Sequence, residues 1–109
     1  MVQGVANDLG SIGYSGIGYK TSGVKALALA EATGKAPHEP SLENALSGAY
    51  PLARFLYVYV NKKPNEPMNK LVHEFVKFVN SKEGQEIVVK DGYYPMPAAV
   101  ATETLTALK

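Results

Sequence analysis

The 109-residue sequence contains no cysteine and carries a formal charge of only +1. The absence of cysteine excludes disulfides, thiolate metal sites and a cysteine nucleophile, but it leaves the compartment open, because many exported proteins also lack cysteine. The near-neutral charge gives no electrostatic basis for binding nucleic acid or an anionic membrane. No apolar run approaches the roughly 18 residues that a membrane-spanning helix needs.

The first residues lack the features of a signal peptide, since Met1–Gly4 is neither basic nor followed by an apolar core. Four apolar residues near the start follow the spacing of one helix face: Val2, Val5, Ala6 and Leu9. Gly10 lies where a glycine often ends a helix. No residue before Val2 is available as an N-cap, which favours a chain that begins within a helix over a frayed N-terminal turn.

The composition, 46% apolar and 19% charged, is that of a globular domain. A compact chain of 11.7 kDa would expose roughly 5,900 Å² of the roughly 17,000 Å² that it exposes when unfolded. We therefore expect a substantial core in a single domain.

Three segments are predicted to be strands. Ile12 and Tyr14 alternate with small residues, and the glycines around them permit close backbone approach. Val24–Leu29 is a short apolar run. Leu52–Val60 is rich in aromatic and β-branched residues and is apolar on both faces, which is typical of a central strand covered on both sides.

Four segments are predicted to be helical: Ser41–Leu46, Met68–Asn80, Glu83–Lys90 and Ala98–Leu108. Ser41 is expected to cap the first, and Gly48 to close it. Ser81 is expected to begin the third helix, which Asp91-Gly92 ends. Helices that alternate with strands indicate an α/β fold, with the helices packed on a small mixed sheet.

Neither the glycines nor the histidines form a recognisable catalytic or cofactor site. The cluster Gly13–Gly18 lacks the third glycine of a dinucleotide fingerprint, and Tyr19 stands where a P-loop has lysine. His38 and His73 have no partner at metal-ligand spacing. We therefore expect no metal and no cofactor.

Two polar residues invite a functional interpretation. Ser15 lacks the Gly-x-Ser-x-Gly frame of a hydrolase nucleophile, and no acid–base pair stands out elsewhere, so we expect no enzyme. Arg54 is the only arginine and lies in the apolar segment Leu52–Val60, where an unpaired charge is costly. It either extends into solvent or pairs at a cleft edge or domain junction.

Five strings stand in order along the chain: GSIGYSGIGY (10–19), VKALAL (24–29), SGAYPLARFLYVY (47–59), FVKFVNSKEGQ (75–85) and DGYYP (91–95). Together they resemble the C-terminal part of the substrate-binding proteins of phosphate ABC transporters. The resemblance covers nearly the whole chain and depends on the combination of strings, because each one alone is unspecific.

The resemblance implies part of a two-lobed periplasmic-binding-protein fold of type II, with residues 1–109 forming a single C-terminal segment. The implied parent is periplasmic or attached to the cell surface. It binds inorganic phosphate and delivers it to the membrane subunits of the transporter. The phosphate-binding motifs of the family lie upstream of this chain, so no ligand residue is carried over. Tyr14, Ser15 and Arg54 remain candidates for the cleft edge or the hinge.

The alternative is a small, self-standing α/β module that binds another protein and has no ligand. We also expect the isolated chain to self-associate, because Leu52–Val60 and the apolar stripe of the Met68–Asn80 helix would lack their neighbours. A two-fold dimer is the commonest closed arrangement. A compact unit that covers its own core is the other possibility.

Overall fold

The computed structural model describes residues 1–108, which divide into two compact units. The first unit is Met1–Leu56, and the second begins at Tyr57. The chain contains five α-helices within residues 1–108: α1 (Val2–Ala6), α2 (Leu42–Ser47), α3 (Lys70–Val79), α4 (Lys82–Lys90) and α5 (Ala98–Ala107). No helix in this part of the chain combines the length and apolar character that crossing a membrane requires.

The first unit contains little regular structure besides α1 and α2. A single 3-10 turn spans Ile17–Tyr19. Leu29 and His38 form an isolated antiparallel bridge, in which each backbone N–H donates to the other residue's carbonyl at 2.9 Å.

The ends of α2 follow the sequence prediction. The Ser41 hydroxyl accepts a hydrogen bond from the Asn44 N–H at 3.2 Å. Gly48 ends the helix with a φ of 77°, a conformation that glycine adopts without steric cost. Both predictions for this helix are therefore confirmed.

The first helix is shorter than its apolar pattern predicts, and Gly10 does not end it. α1 ends at Asn7. The Asp8 carboxylate accepts a hydrogen bond from the Gly10 N–H at 2.9 Å, which holds this stretch in a turn. Short acidic side chains compete with helical hydrogen bonds in this way, so Asp8 stops the helix before the apolar spacing does.

In the second unit, side chains cap α3 and α4. The Asn69 side-chain oxygen accepts hydrogen bonds from the backbone N–H groups of Leu71 and Val72, which is why α3 begins at Lys70 instead of Met68. Ser81 caps α4 as predicted, with its hydroxyl 3.1 Å from the Gly84 nitrogen. Gly92 follows α4 with a φ of 87°.

The three predicted strands are absent from the described residues. Leu52–Val60, Val24–Leu29 and the stretch around Ile12 and Tyr14 have no strand pairing, apart from the single bridge at Leu29. A strand needs a neighbouring backbone for its hydrogen bonds. Apart from a turn bond from the Ala53 N–H to the Tyr50 carbonyl, no backbone group within residues 1–108 pairs with Leu52–Val60. The small mixed sheet is therefore not confirmed.

The expectation of a substantial core is wrong for this chain. It exposes 8978 Å², whereas a compact chain of this mass exposes about 5,900 Å², and two separate compact halves about 7,100 Å². Among residues 1–108 the buried apolar side chains are Val76 and Ala101, at 9% and 7% exposure. Helix α3 has the predicted apolar stripe, but Leu71, Phe75 and Phe78 on it are exposed.

Gly84 allows α4 to pack directly against the end of α3. A Cβ atom at this position would lie 2.9 Å from the Val79 carbonyl oxygen and still closer to that of Phe78. The Phe78 carbonyl is held in place because it accepts hydrogen bonds from the Ser81 nitrogen and hydroxyl at 2.9 and 2.6 Å. Gly84 therefore has no room for a side chain.

We expect Gly84→Ala to lower the free energy of unfolding of the second unit by about 1–3 kcal/mol, as overpacking does elsewhere. Urea unfolding followed by circular dichroism measures the change. Gly4→Ala is the matched control, because Gly4 lies within α1 with no atom within 4 Å of an added Cβ. Equal effects of the two substitutions would contradict the close approach at Gly84.

Candidate functional site

Ser15 lines an open hollow of about 660 Å³ beside α1 in the first unit. The lining residues are Met1, Val2, Gln3, Ala6, Ser15, Tyr19, Thr21, Ser22 and Gly23. Four of these side chains bear hydroxyl groups, and none of the nine carries a formal charge. Hydroxyl groups both donate and accept hydrogen bonds, so these four side chains give an otherwise largely apolar hollow its hydrogen-bonding capacity.

Two glycines, of which Gly23 lines the hollow, lie close to side chains of α1. A Cβ on Gly13 would lie 2.9 Å from the Val5 side chain, and one on Gly23 would lie 3.2 Å from the Ala6 Cβ. The residues after α1 can therefore fold back against that helix. The neighbours of Gly13 are the side chains of Val5 and Met1, so the close backbone approach expected at the glycine cluster stays a prediction. The surrounding segment is irregular and not a strand.

The structure does not place Tyr14 and Arg54 in this hollow. Tyr14 is 83% exposed. Arg54 is also exposed, and its Nη1 donates to the neighbouring Phe55 carbonyl at 3.1 Å. No carboxylate within residues 1–108 lies at ion-pair distance from Arg54. Of the two interpretations of Arg54, the structure favours the one in which it extends into solvent. A place for Tyr14, Ser15 and Arg54 at a cleft edge or hinge stays a prediction.

A second open hollow, of about 550 Å³, lies between α4 and the segment that leads into α5. Gln85 is one of its polar lining residues. Its amide nitrogen donates to the Val79 carbonyl at 2.8 Å, and its amide oxygen accepts from the Met96 N–H at 2.7 Å. One side chain thus connects the end of α3, helix α4 and the segment before α5.

Asn80 borders the same hollow. Its amide nitrogen donates to the Val76 carbonyl at 2.8 Å. Its side-chain oxygen is buried and accepts no hydrogen bond from the described residues. Most buried side-chain oxygens in proteins accept at least one hydrogen bond, which replaces the bonds to water lost on burial, and this oxygen accepts none among the described residues.

Neither histidine belongs to a cluster that could hold a metal ion. His73 Nδ1 lies 3.6 Å from Glu74 Oε1, and both side chains are about half exposed. The backbone of His38 is engaged in the bridge to Leu29. Within residues 1–108 no three His, Cys, Asp or Glu side chains come together.

Comparison with protein families identifies the kind of domain. A family model described as a PBP superfamily domain matches residues 1–83, which is most of the chain. The chain belongs to the PBP superfamily. Membership confirms the resemblance inferred from the five sequence strings and agrees with a periplasmic-binding-protein fold.

The chain is also similar to curated proteins over nearly its whole length. It is 56% identical over 108 residues to the phosphate-binding protein PstS of Pseudomonas aeruginosa, covering 99% of this chain and 33% of that protein. It is 38% identical over 106 residues to Protein SphX of Synechococcus elongatus, covering 94% of this chain and 30% of that protein. It is 31% identical over 101 residues to phosphate-binding protein PstS 2 of Streptococcus agalactiae, covering 93% of this chain and 31% of that protein. The chain spans about a third of the length of these relatives.

We expect Gln85→Leu to lower the free energy of unfolding of the second unit by about 1–3 kcal/mol, because the Val79 carbonyl and the Met96 N–H lose their partner. Urea unfolding gives the free energy, and hydrogen exchange at the Met96 amide reports the lost hydrogen bond directly. Gln3→Leu, at an exposed position of α1, is the matched control. Unchanged protection of the Met96 amide in Gln85→Leu would contradict the connecting role of Gln85.

Proposed function

We propose that this chain is the C-terminal segment of a phosphate-binding protein that delivers inorganic phosphate to the membrane subunits of an ABC transporter. The observation that carries the proposal is the 56% identity over 108 residues to the PstS protein of Pseudomonas aeruginosa. The proposed parent is periplasmic or attached to the cell surface, and its role is binding, not catalysis.

The burial pattern supports a segment over a self-standing interaction module. A module must cover its own apolar residues, whereas this chain exposes 8978 Å² and buries the apolar side chains of Val76 and Ala101 alone among its described residues. Leu52–Val60 is composed like a central strand but is exposed. These features suit a segment whose neighbours are supplied by a longer chain.

The proposal divides the binding chemistry between this segment and the rest of the parent. Oxyanions are held by unpaired N–H groups at helix N-termini and by charge-assisted hydrogen bonds. The hollow at Ser15 offers hydroxyl groups without a charged side chain, so we place it at the edge of the cleft and assign the phosphate-gripping groups to residues outside this chain. No cofactor, metal or nucleic acid takes part.

We expect the isolated chain to bind phosphate far more weakly than a transport receptor, because the gripping groups and the water-excluding second lobe are absent. Isothermal titration with phosphate at low salt measures the affinity, with the Pseudomonas relative as the positive control. A submicromolar dissociation constant for the isolated chain would contradict the division of the site.

The decisive experiment joins this chain to the remaining residues of a phosphate-binding relative. We expect a chimera, in which this chain replaces the aligned residues of the Pseudomonas aeruginosa protein, to bind phosphate within about tenfold of the unaltered protein, a difference of about 1.4 kcal/mol. Thermal unfolding establishes that the chimera folds, and the same titration measures its affinity. A folded chimera that has lost phosphate binding would overturn the proposed function.

A further inference from the structure

The segment Phe55–Val60, with the sequence FLYVYV, is the most unusual surface of this chain. Its six side chains are between 36% and 92% exposed. The segment contains no charge, proline or glycine. None of its backbone N–H or carbonyl groups pairs with another backbone group among the described residues.

The segment has the composition of a strand that pairs with copies of itself. Six-residue stretches of high β-propensity, low charge and no proline form cross-β stacks in which identical side chains interdigitate. In an extended backbone, Phe55, Tyr57 and Tyr59 lie on one face, and Leu56, Val58 and Val60 lie on the other. Both faces are therefore apolar, and each can pack against a second sheet.

The unpaired edges favour an open stack over a closed dimer. Two copies related by a two-fold axis pair one edge of each segment and leave the other edge free. A stack of copies pairs both edges of every segment except those at its ends. The formal charge of +1 provides little long-range repulsion between copies.

The chain as a whole exposes enough surface for an association of this size. The chain exposes 8978 Å², roughly 1,900 Å² more than two compact units of its mass would expose. A stable interface needs about 800 Å² from each partner.

We propose that Phe55–Val60 pairs with the same segment of further copies of this chain and builds an open cross-β stack. Basic residues lie on both sides of the segment, at Arg54, Lys62 and Lys63. Stacking brings these like charges together, so their repulsion limits the rate of assembly and is weakened by salt.

The test uses the whole 109-residue chain at about 100 μM, a concentration at which exposed apolar segments associate. Thioflavin T fluorescence follows assembly, and fibre diffraction detects the strand spacing. We expect seeded growth, a reflection at about 4.7–4.8 Å, and a shorter lag time in about 1 M salt.

Two variants distinguish pairing through this segment from unspecific aggregation of the chain. Val58→Lys places a charge within the segment, and we expect the lag time to lengthen about tenfold or more. Val89→Lys is the matched control, because Val89 is a similarly exposed valine in α4, at 51% against 64% for Val58. We expect its lag time to remain within about twofold of the unaltered chain.

Circular dichroism establishes that both variants retain their helices. Equal slowing by the two substitutions would overturn the proposal in favour of unspecific aggregation. A discrete dimer without the strand reflection, or a chain that stays monomeric at this concentration, would overturn it as well.

Discussion

The second unit depends on the tight connection between α3 and α4, where Ser81 meets the last carbonyls of α3. The Phe78 carbonyl accepts two hydrogen bonds from Ser81, and the same serine hydroxyl accepts the Gly84 N–H at the start of α4. Ser81 thus closes one helix and opens the next. Because Gly84 then lies directly against the α3 carbonyls, Gln85 comes within reach of both Val79 and Met96. The position of the segment before α5 follows from this connection.

Local sequence signals predicted the helix ends well. Ser41, Gly48, Ser81 and Gly92 act on backbone groups within four residues of themselves, so the information needed to place them is in the adjacent sequence. Asp8 and Asn69 are exceptions, because their side-chain hydrogen bonds with nearby N–H groups shift the end of α1 and the start of α3 from the positions that the apolar spacing predicts. Gln85 was missed because its partners lie six and eleven residues away, and no spacing rule marks them.

The strands could not be predicted in the same way. β-propensity describes how well a residue fits a pleated, partly buried surface, and that surface is supplied by other strands. Leu52–Val60 has the composition of a central strand, yet residues 1–108 provide no strand that pairs with it. For the same reason Leu71 and Phe75 form the predicted stripe on α3 without becoming buried.

Family membership was accessible from sequence, whereas the site was only partly so. Five strings in a fixed order identify the family, because a chance match to all of them is improbable. The hollow at Ser15 lies where Gly23 approaches Ala6 of α1, a contact between residues that are not neighbours in the chain. The sequence marked Ser15 as polar and glycine-flanked, but it could not show that Tyr14, its neighbour, would lie outside the hollow.

The proposed function and the proposed self-association assign different strand partners to the backbone edges of Phe55–Val60. In a longer parent, strands from elsewhere in the chain would pair with Phe55–Val60 on both sides and leave no edge for a second copy. Within residues 1–108 of the isolated chain no other backbone group pairs with this segment, and strands of further copies would supply the same hydrogen bonds. The two forms of pairing therefore exclude each other, since each backbone N–H and carbonyl of the segment has room for one strand partner. It follows that the chimera, which supplies the rest of the relative, should suppress the cross-β stack under the conditions in which the isolated chain forms it.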